Sequence, residues 1–143
     1  MKCYFVIGSL FLLSACGVPS DPEKGPVILL CEGNHYLKSG DGTVERQKLT
    51  QFYKVDGVEG SLETWDDEKQ QWMGSPSRIT ITPNQITRHE EPMELAGITS
   101  TKSITIDRVA ARVHDQFSMS NGGITTFDGT CKPVKSPTSE KKF

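Results

Sequence analysis

Long apolar runs are missing from this 143-residue chain. The one candidate, Tyr4 to Leu13, is ten residues. As a helix it would reach about 15 Å against a hydrocarbon core of about 30 Å, which excludes a spanning helix there. Charge of one sign is missing too. Sixteen basic residues against eighteen acidic ones leave a net charge of −2, too weak a field to argue for nucleic acid or an anionic membrane surface as partner. The four cysteines include no C-x-x-C pair, which removes the usual dithiol redox centre. His35, His89 and His114 are scattered and fit neither H-E-x-x-H nor another spacing that sets two imidazoles on one metal, so no metal or cofactor is expected. No G-x-S-x-G elbow occurs, and Ser39-Gly40-Asp41-Gly42 lacks the lysine and the spacing of a phosphate cradle. No catalytic residue is assigned on these grounds.

What is present starts at the N-terminus. Lys2 precedes the apolar stretch, which matches the charged and apolar regions of an export signal. An ordinary secretory cleavage site wants small residues one and three positions before the cut, and Leu13 breaks that pattern. Leu13-Ser14-Ala15-Cys16 resembles the lipobox of bacterial lipoproteins, in which the cysteine becomes the first mature residue. The resemblance implies that residues 1–15 are a signal peptide and that Cys16 carries a diacylglyceryl group, usually with a third chain on its amine. One acyl chain binds membranes only marginally, whereas two or more anchor stably. In that family an aspartate directly after the cysteine tends to retain the protein in the inner membrane. Gly17 stands there instead, which implies, in a diderm bacterium, the outer membrane with the domain facing the periplasm. Residues 16–26, with three prolines and two glycines, read as a flexible tether.

Removal of residues 1–15 takes Lys2 and no acid, which leaves fifteen basic against eighteen acidic residues, a mature charge of −3. Cys3 leaves with the signal and Cys16 is taken by lipid, so Cys31 and Cys131 remain. In an oxidising envelope compartment they are expected to form a disulfide that ties the first structural element to the last.

Residues 27–134 suffice for one domain, and its periodicity is that of strands. RITIT at 78–82 and KSITID at 102–107 alternate, with Ile79, Ile81, Ile104 and Ile106 on the inward parity. Val113, Phe117 and Met119 share one parity, interrupted by Asp115, and Asn121-Gly122-Gly123 supplies a turn before ITTFDGTC. A C-terminal hairpin follows, with Phe127, Gly129 and Cys131 on one face, as Leu29 and Cys31 are in VILLC. QFYKV, SLETWD and QQWMG in the middle read as strands, with Trp65 and Trp72 facing across a hairpin, while a short helix over Glu45 to Tyr53 fits as well through Leu49, Phe52 and Tyr53. The expected fold is all-β, a small antiparallel barrel or sandwich of about seven or eight strands. Residues 135–143 read as a disordered tail.

The order Cys31-Glu32-Gly33, then Ile104, Ile106 and Arg108, then Gly129-Thr130-Cys131 is also similar to that of many small uncharacterised exported β-proteins of proteobacteria. That resemblance supports the fold and the disulfide and brings no activity with it.

One residue breaks a local rule. Arg108 continues the inward parity of Ile104 and Ile106. It marks the end of the strand, or enters a buried pair, or grips a ligand. Trp65 and Trp72 are core or rim aromatics before they are a ligand platform. Three functions stay open: a non-enzymatic envelope lipoprotein binding an envelope protein or a peptidoglycan-associated partner, a small barrel carrying a lipid or other apolar ligand, and a hydrolase or an inhibitor of one.

Overall fold

The computed structural model describes residues 21–74 and 78–137, most of them in antiparallel strands. The expected signal peptide, Cys16 with the start of the tether, and residues 138–143 of the expected tail lie outside the described residues. After a single 3-10 turn at Pro22–Lys24, ten strands follow: β1 Val27–Lys38, β2 Val44–Asp56, β3 Ser61–Asp66, β4 Gln71–Met73, β5 Ile79–Ile81, β6 Gln85–His89, β7 Met93–Leu95, β8 Ile98–Asp107, β9 Arg112–Met119 and β10 Ile124–Val134. They form one sheet in the order β4-β3-β2-β1-β10-β9-β8-β6-β5, with β7 paired to β8. The sheet is curled into a half-barrel. It is a meander at each end, and the two meanders meet where the first strand pairs with the last over the full span from Ile28↔Val134 to Lys38↔Ile124.

Two of the ten strands, β6 and β7, were not read from the sequence. Where helical spacing also fitted residues 45–53, the chain is the strand β2. Tertiary pairing decides that competition: β2 is laddered to β1 from Val27↔Val55 to Lys38↔Val44, and Leu49, Phe52 and Tyr53 divide between the two faces of the sheet rather than lining one side of a helix.

The β1–β10 seam is built from two matched pairs. Cys31 and Cys131 are direct cross-strand partners with Cα atoms 4.0 Å apart and a bond between their sulfurs. The Cys131 amide donates to the Ala111 carbonyl at 2.7 Å, on the β9 side, so the cysteines occupy the closely spaced, non-hydrogen-bonded kind of pair. Two residues on, Gly33 faces Gly129. A Cβ on Gly33 would sit 2.0 Å from the Asp128 carbonyl oxygen, and one on Gly129 would sit 2.9 Å from the Phe127 ring. Glycine is required at position 33 because the backbones approach too closely for any side chain.

The concave face holds the main core: Cys31, Tyr53, Val55, Leu62, Ile86, Ile104, Ile106, Val113, Phe127 and Cys131, with Leu29, Ile79 and Ile81 against it. The inward parity of the two isoleucine-threonine runs and of the C-terminal hairpin is the one observed. The convex face carries a smaller cluster of Leu30, Phe52 and Val134 under Ile28, Trp65 and Trp72. Both faces of β1 are therefore covered near its start, which is why VILLC is continuously apolar instead of alternating.

Opposite ends of the sheet meet across the concavity through side chains. Arg88 on β6 is buried and donates to the Leu62 carbonyl of β3 at 2.5 Å, while its other terminal nitrogen pairs with Glu90. Near the lower end, the Gly57 amide after β2 donates to the Pro22 carbonyl at 2.9 Å. Two outcomes are expected from chemical denaturation. Gly33→Ala should lose about 1–3 kcal/mol or more, the cost of overpacking. Replacing Cys31 and Cys131 together by alanine should lose about 4–5 kcal/mol, as expected when a ring of about 100 residues is opened in the unfolded chain.

Candidate functional site

Below the mouth of the half-barrel, alternation along β2, β8 and β9 turns polar side chains inward. Tyr53 on β2 donates its hydroxyl to Asp115 Oδ2 on β9 at 3.1 Å, crossing over β1 and β10 to do so. Lys102 on β8 places its Nζ 4.0 Å from the same oxygen. These three, with His35, Gln51, Phe117 and Phe127, line a cavity of about 190 Å³. Burial is the main reason the Asp115 carboxyl is held above the ordinary carboxylate range, with the positive charge of Lys102 and the Tyr53 hydrogen bond acting against it. Burial, and then the charge of Asp115, raise the Tyr53 phenol and keep it protonated. The group can hydrogen-bond a peptide or a polar ligand in either direction, since hydroxyl, carboxyl and ammonium meet within one wall.

A second hollow of about 330 Å³ opens at the opposite end of the half-barrel. Its walls are Leu29, Val55, Ile86, Ile106 and the Cys131 side of the disulfide, with Pro22 and Pro133 at the edge, and its charged side chains are Asp107 and Arg108. Arg108 stands just past the end of β8. Its Nη1 donates to the Thr82 carbonyl at 2.8 Å and its Nη2 is 3.8 Å from Asp21 Oδ1. Asp107 spends Oδ1 on the amides of Val109 and Ala110 at 2.9 and 2.8 Å, closing the β8–β9 turn. A broader dent of about 390 Å³ lies over Glu32–Asn34 and Lys48–Thr50, but it draws on both faces of the β1–β2 hairpin and gathers no converging group.

No known family model matches the chain, and no curated protein matches it. The function therefore rests on these two hollows and on the surface around them.

The remaining residues singled out from sequence fall apart in space. Trp65 and Trp72 are direct cross-strand partners on β3 and β4, edge to face at 5.2 Å on the convex side, with the Lys54 ammonium over Trp72 at 5.4 Å. Lys54 also pairs with Glu63. His114 points outward and meets Asp128 through Nδ1 at 2.7 Å, and that carboxylate is the chief reason its imidazole is raised above 6.5. His35 lies 3.5 Å from Gln47 on the facing strand, and His89 is exposed. Among the described residues no group of three His, Cys, Asp or Glu side chains is placed to hold a metal ion.

Sequence reading missed Arg88, Lys102 and Tyr53 as members of the interior. The signal for Arg88 was the alternation of Ile86, Arg88 and Glu90, and the signal for Lys102 was its parity with Ile104. A raised acid disfavours its charged form in the fold. The stability that protonated Asp115 contributes is thus present below about 3.8 and lost as pH rises through its raised value. Asp115→Asn should consequently be more stable than wild type at pH 7, because it keeps an acceptor for Tyr53 and removes the carboxylate charge that burial disfavours. The difference should vanish near pH 3, as followed by thermal unfolding across the range. A variant that is less stable at pH 7 would show that the Lys102 attraction outweighs burial.

Proposed function

We propose that the protein is a lipid-anchored, non-enzymatic binding protein of the bacterial envelope, acylated on Cys16, whose curled sheet receives an envelope protein or a peptidoglycan-associated one. One observation carries the reading. The face that buries Ile104 completely continues upward into Ile98, Met93 and Leu95, of which Met93 is 64% and Leu95 77% exposed. Large apolar side chains left exposed beside a polar patch are anchors of the kind that become desolvated when a partner arrives. The outer edge of β7 pairs with no strand among the described residues, so an extended partner segment has backbone groups to join there.

The lipobox resemblance supplies the membrane. Four residues lie between Cys16 and Asp21, and the five steps across them reach at most about 18 Å, a leash that holds the domain close to the lipid surface. Catalysis has the least support, because the histidines stand apart and the partly buried Asp115 faces a tyrosine and a lysine instead of a nucleophile held by a base. Carriage of an apolar ligand is a second reading, favoured by the lower hollow and its aliphatic walls.

Two experiments test the primary reading. Cys16→Ala should abolish labelling by radioactive palmitate and release the protein from membranes; a variant that stays bound would contradict the anchor. A photo-crosslinking residue at Leu95 should give one discrete adduct in intact cells, whereas the same residue at exposed Val58 or Val109 should not. Equal labelling at all three positions, or at none, would remove the docking face.

A further inference from the structure

We infer that the lower hollow is a binding site for a single-chain amphiphile with an anionic head, its chain inside the half-barrel and its carboxylate on Arg108. This rests on the second reading above and commits it to a place and a chemistry. Close-packed interiors leave few voids larger than a water molecule, and this hollow is a recess that opens to solvent at the end of the half-barrel. At about 330 Å³ the space falls at the small end of the range for ligand sites. Leu29, Val55, Ile86, Ile106 and Pro133 give it aliphatic walls, with Asp107 and Arg108 as its charged edge. An apolar chain laid along those walls would take their apolar surface out of water.

The head group is argued from what Arg108 has left over. A guanidinium carries five N–H donors in a fixed fork. One terminal nitrogen reaches the Thr82 carbonyl at 2.8 Å, and the other is 3.8 Å from Asp21, too long for a hydrogen bond. Asp21 is itself engaged, since Oδ1 accepts from the Glu23 amide at 3.2 Å and Oδ2 faces the Lys24 ammonium at 3.3 Å. Asp107 is turned to its own loop. The fork is therefore held by one backbone hydrogen bond and by a long ion pair to Asp21, and its second arm keeps N–H donors for a carboxylate at the edge of the hollow. Pro22 belongs to the same rim, so the mouth lies where the N-terminal segment joins the domain, and a ligand drawn from a lipid surface would have a short path. An acyl chain on Cys16 lacks the acid and would make no demand on Arg108.

The test uses the full chain carrying Cys16→Ala, with the Cys31–Cys131 bond confirmed by peptide mapping, and dodecanoate below its micellar concentration. Calorimetry should show saturable one-to-one binding. Arg108→Gln should weaken it by about tenfold or more, the scale of a lost charge-assisted hydrogen bond. Dodecanol should bind no more tightly to wild type than dodecanoate binds to the variant. The methyl resonances of Ile86 and Ile106 should shift on titration while that of Ile98, on the upper face, stays still. No saturable binding, or shifts confined to Ile98, would overturn the site. Equal affinity for dodecanoate and dodecanol, unmoved by Arg108→Gln, would overturn the anionic head while leaving the apolar-ligand reading intact.

Discussion

Everything in this fold depends on the first strand lying against the last. The β1–β4 meander and the β5–β10 meander are each local, and antiparallel hairpins of this kind cost little chain entropy to close. Joining them does cost, because β1 and β10 are separated by most of the domain. The Cys31–Cys131 bond offsets that cost by restricting the unfolded chain. Gly33 opposite Gly129 then lets the two backbones come together two residues from the bond. With a side chain at position 33 the strands could not keep this spacing, and the curl that forms the concavity would relax.

The curl leaves a half-barrel filled unevenly. Its middle is packed by aliphatic and aromatic side chains around Ile104 and Tyr53, and ionisable groups follow above them. Arg88 is 2% exposed and ties β6 to the β3 carbonyl at Leu62, a contact between distant parts of the sheet that a ladder does not make. Buried charges of this sort are retained at a cost in desolvation even when paired. The Nε of Arg88 finds no hydrogen-bond partner among the described residues. A domain assembled only to be stable would carry aliphatic residues at positions 88, 102 and 115. That they are charged is consistent with an interior that meets a ligand or a partner, and it sets the upper end apart from the aliphatic hollow below.

Legibility from sequence followed burial. Strands covered on one face, such as Ile79–Ile81 and the second half of β8, alternate visibly and were read as strands. The first half of β2, residues 44–50, is exposed throughout, so no alternation marks it and a short helix over residues 45–53 stayed possible. The β7–β8 hairpin turns through Ala96 at φ 51° and Gly97 at φ 78°; alanine is not the residue that advertises such a turn, and neither β7 nor the first half of β8 has a buried side. Arg108 drew notice because it set a charge on the parity of Ile104 and Ile106, and it stands where the strand stops. Arg88 drew none, because its neighbours are polar, yet it is the deeper of the two. Asp115 was visible as an interruption in an apolar row, and the row's inward orientation sets it, partly buried, beside Tyr53 and Lys102.

The amino-acid order alone determined the strand-forming periods, the pairing of two leftover cysteines and the glycine turns, because each depends on neighbours two to four residues away or on simple elimination. Which residues share a cavity was decided only in three dimensions. Tyr53 and Asp115 are 62 positions apart and meet because the sheet curls, and Arg88 meets the Leu62 carbonyl for the same reason. Curl is a property of how ten strands are sheared and twisted together, and no local pattern encodes which inward side chains it will bring face to face.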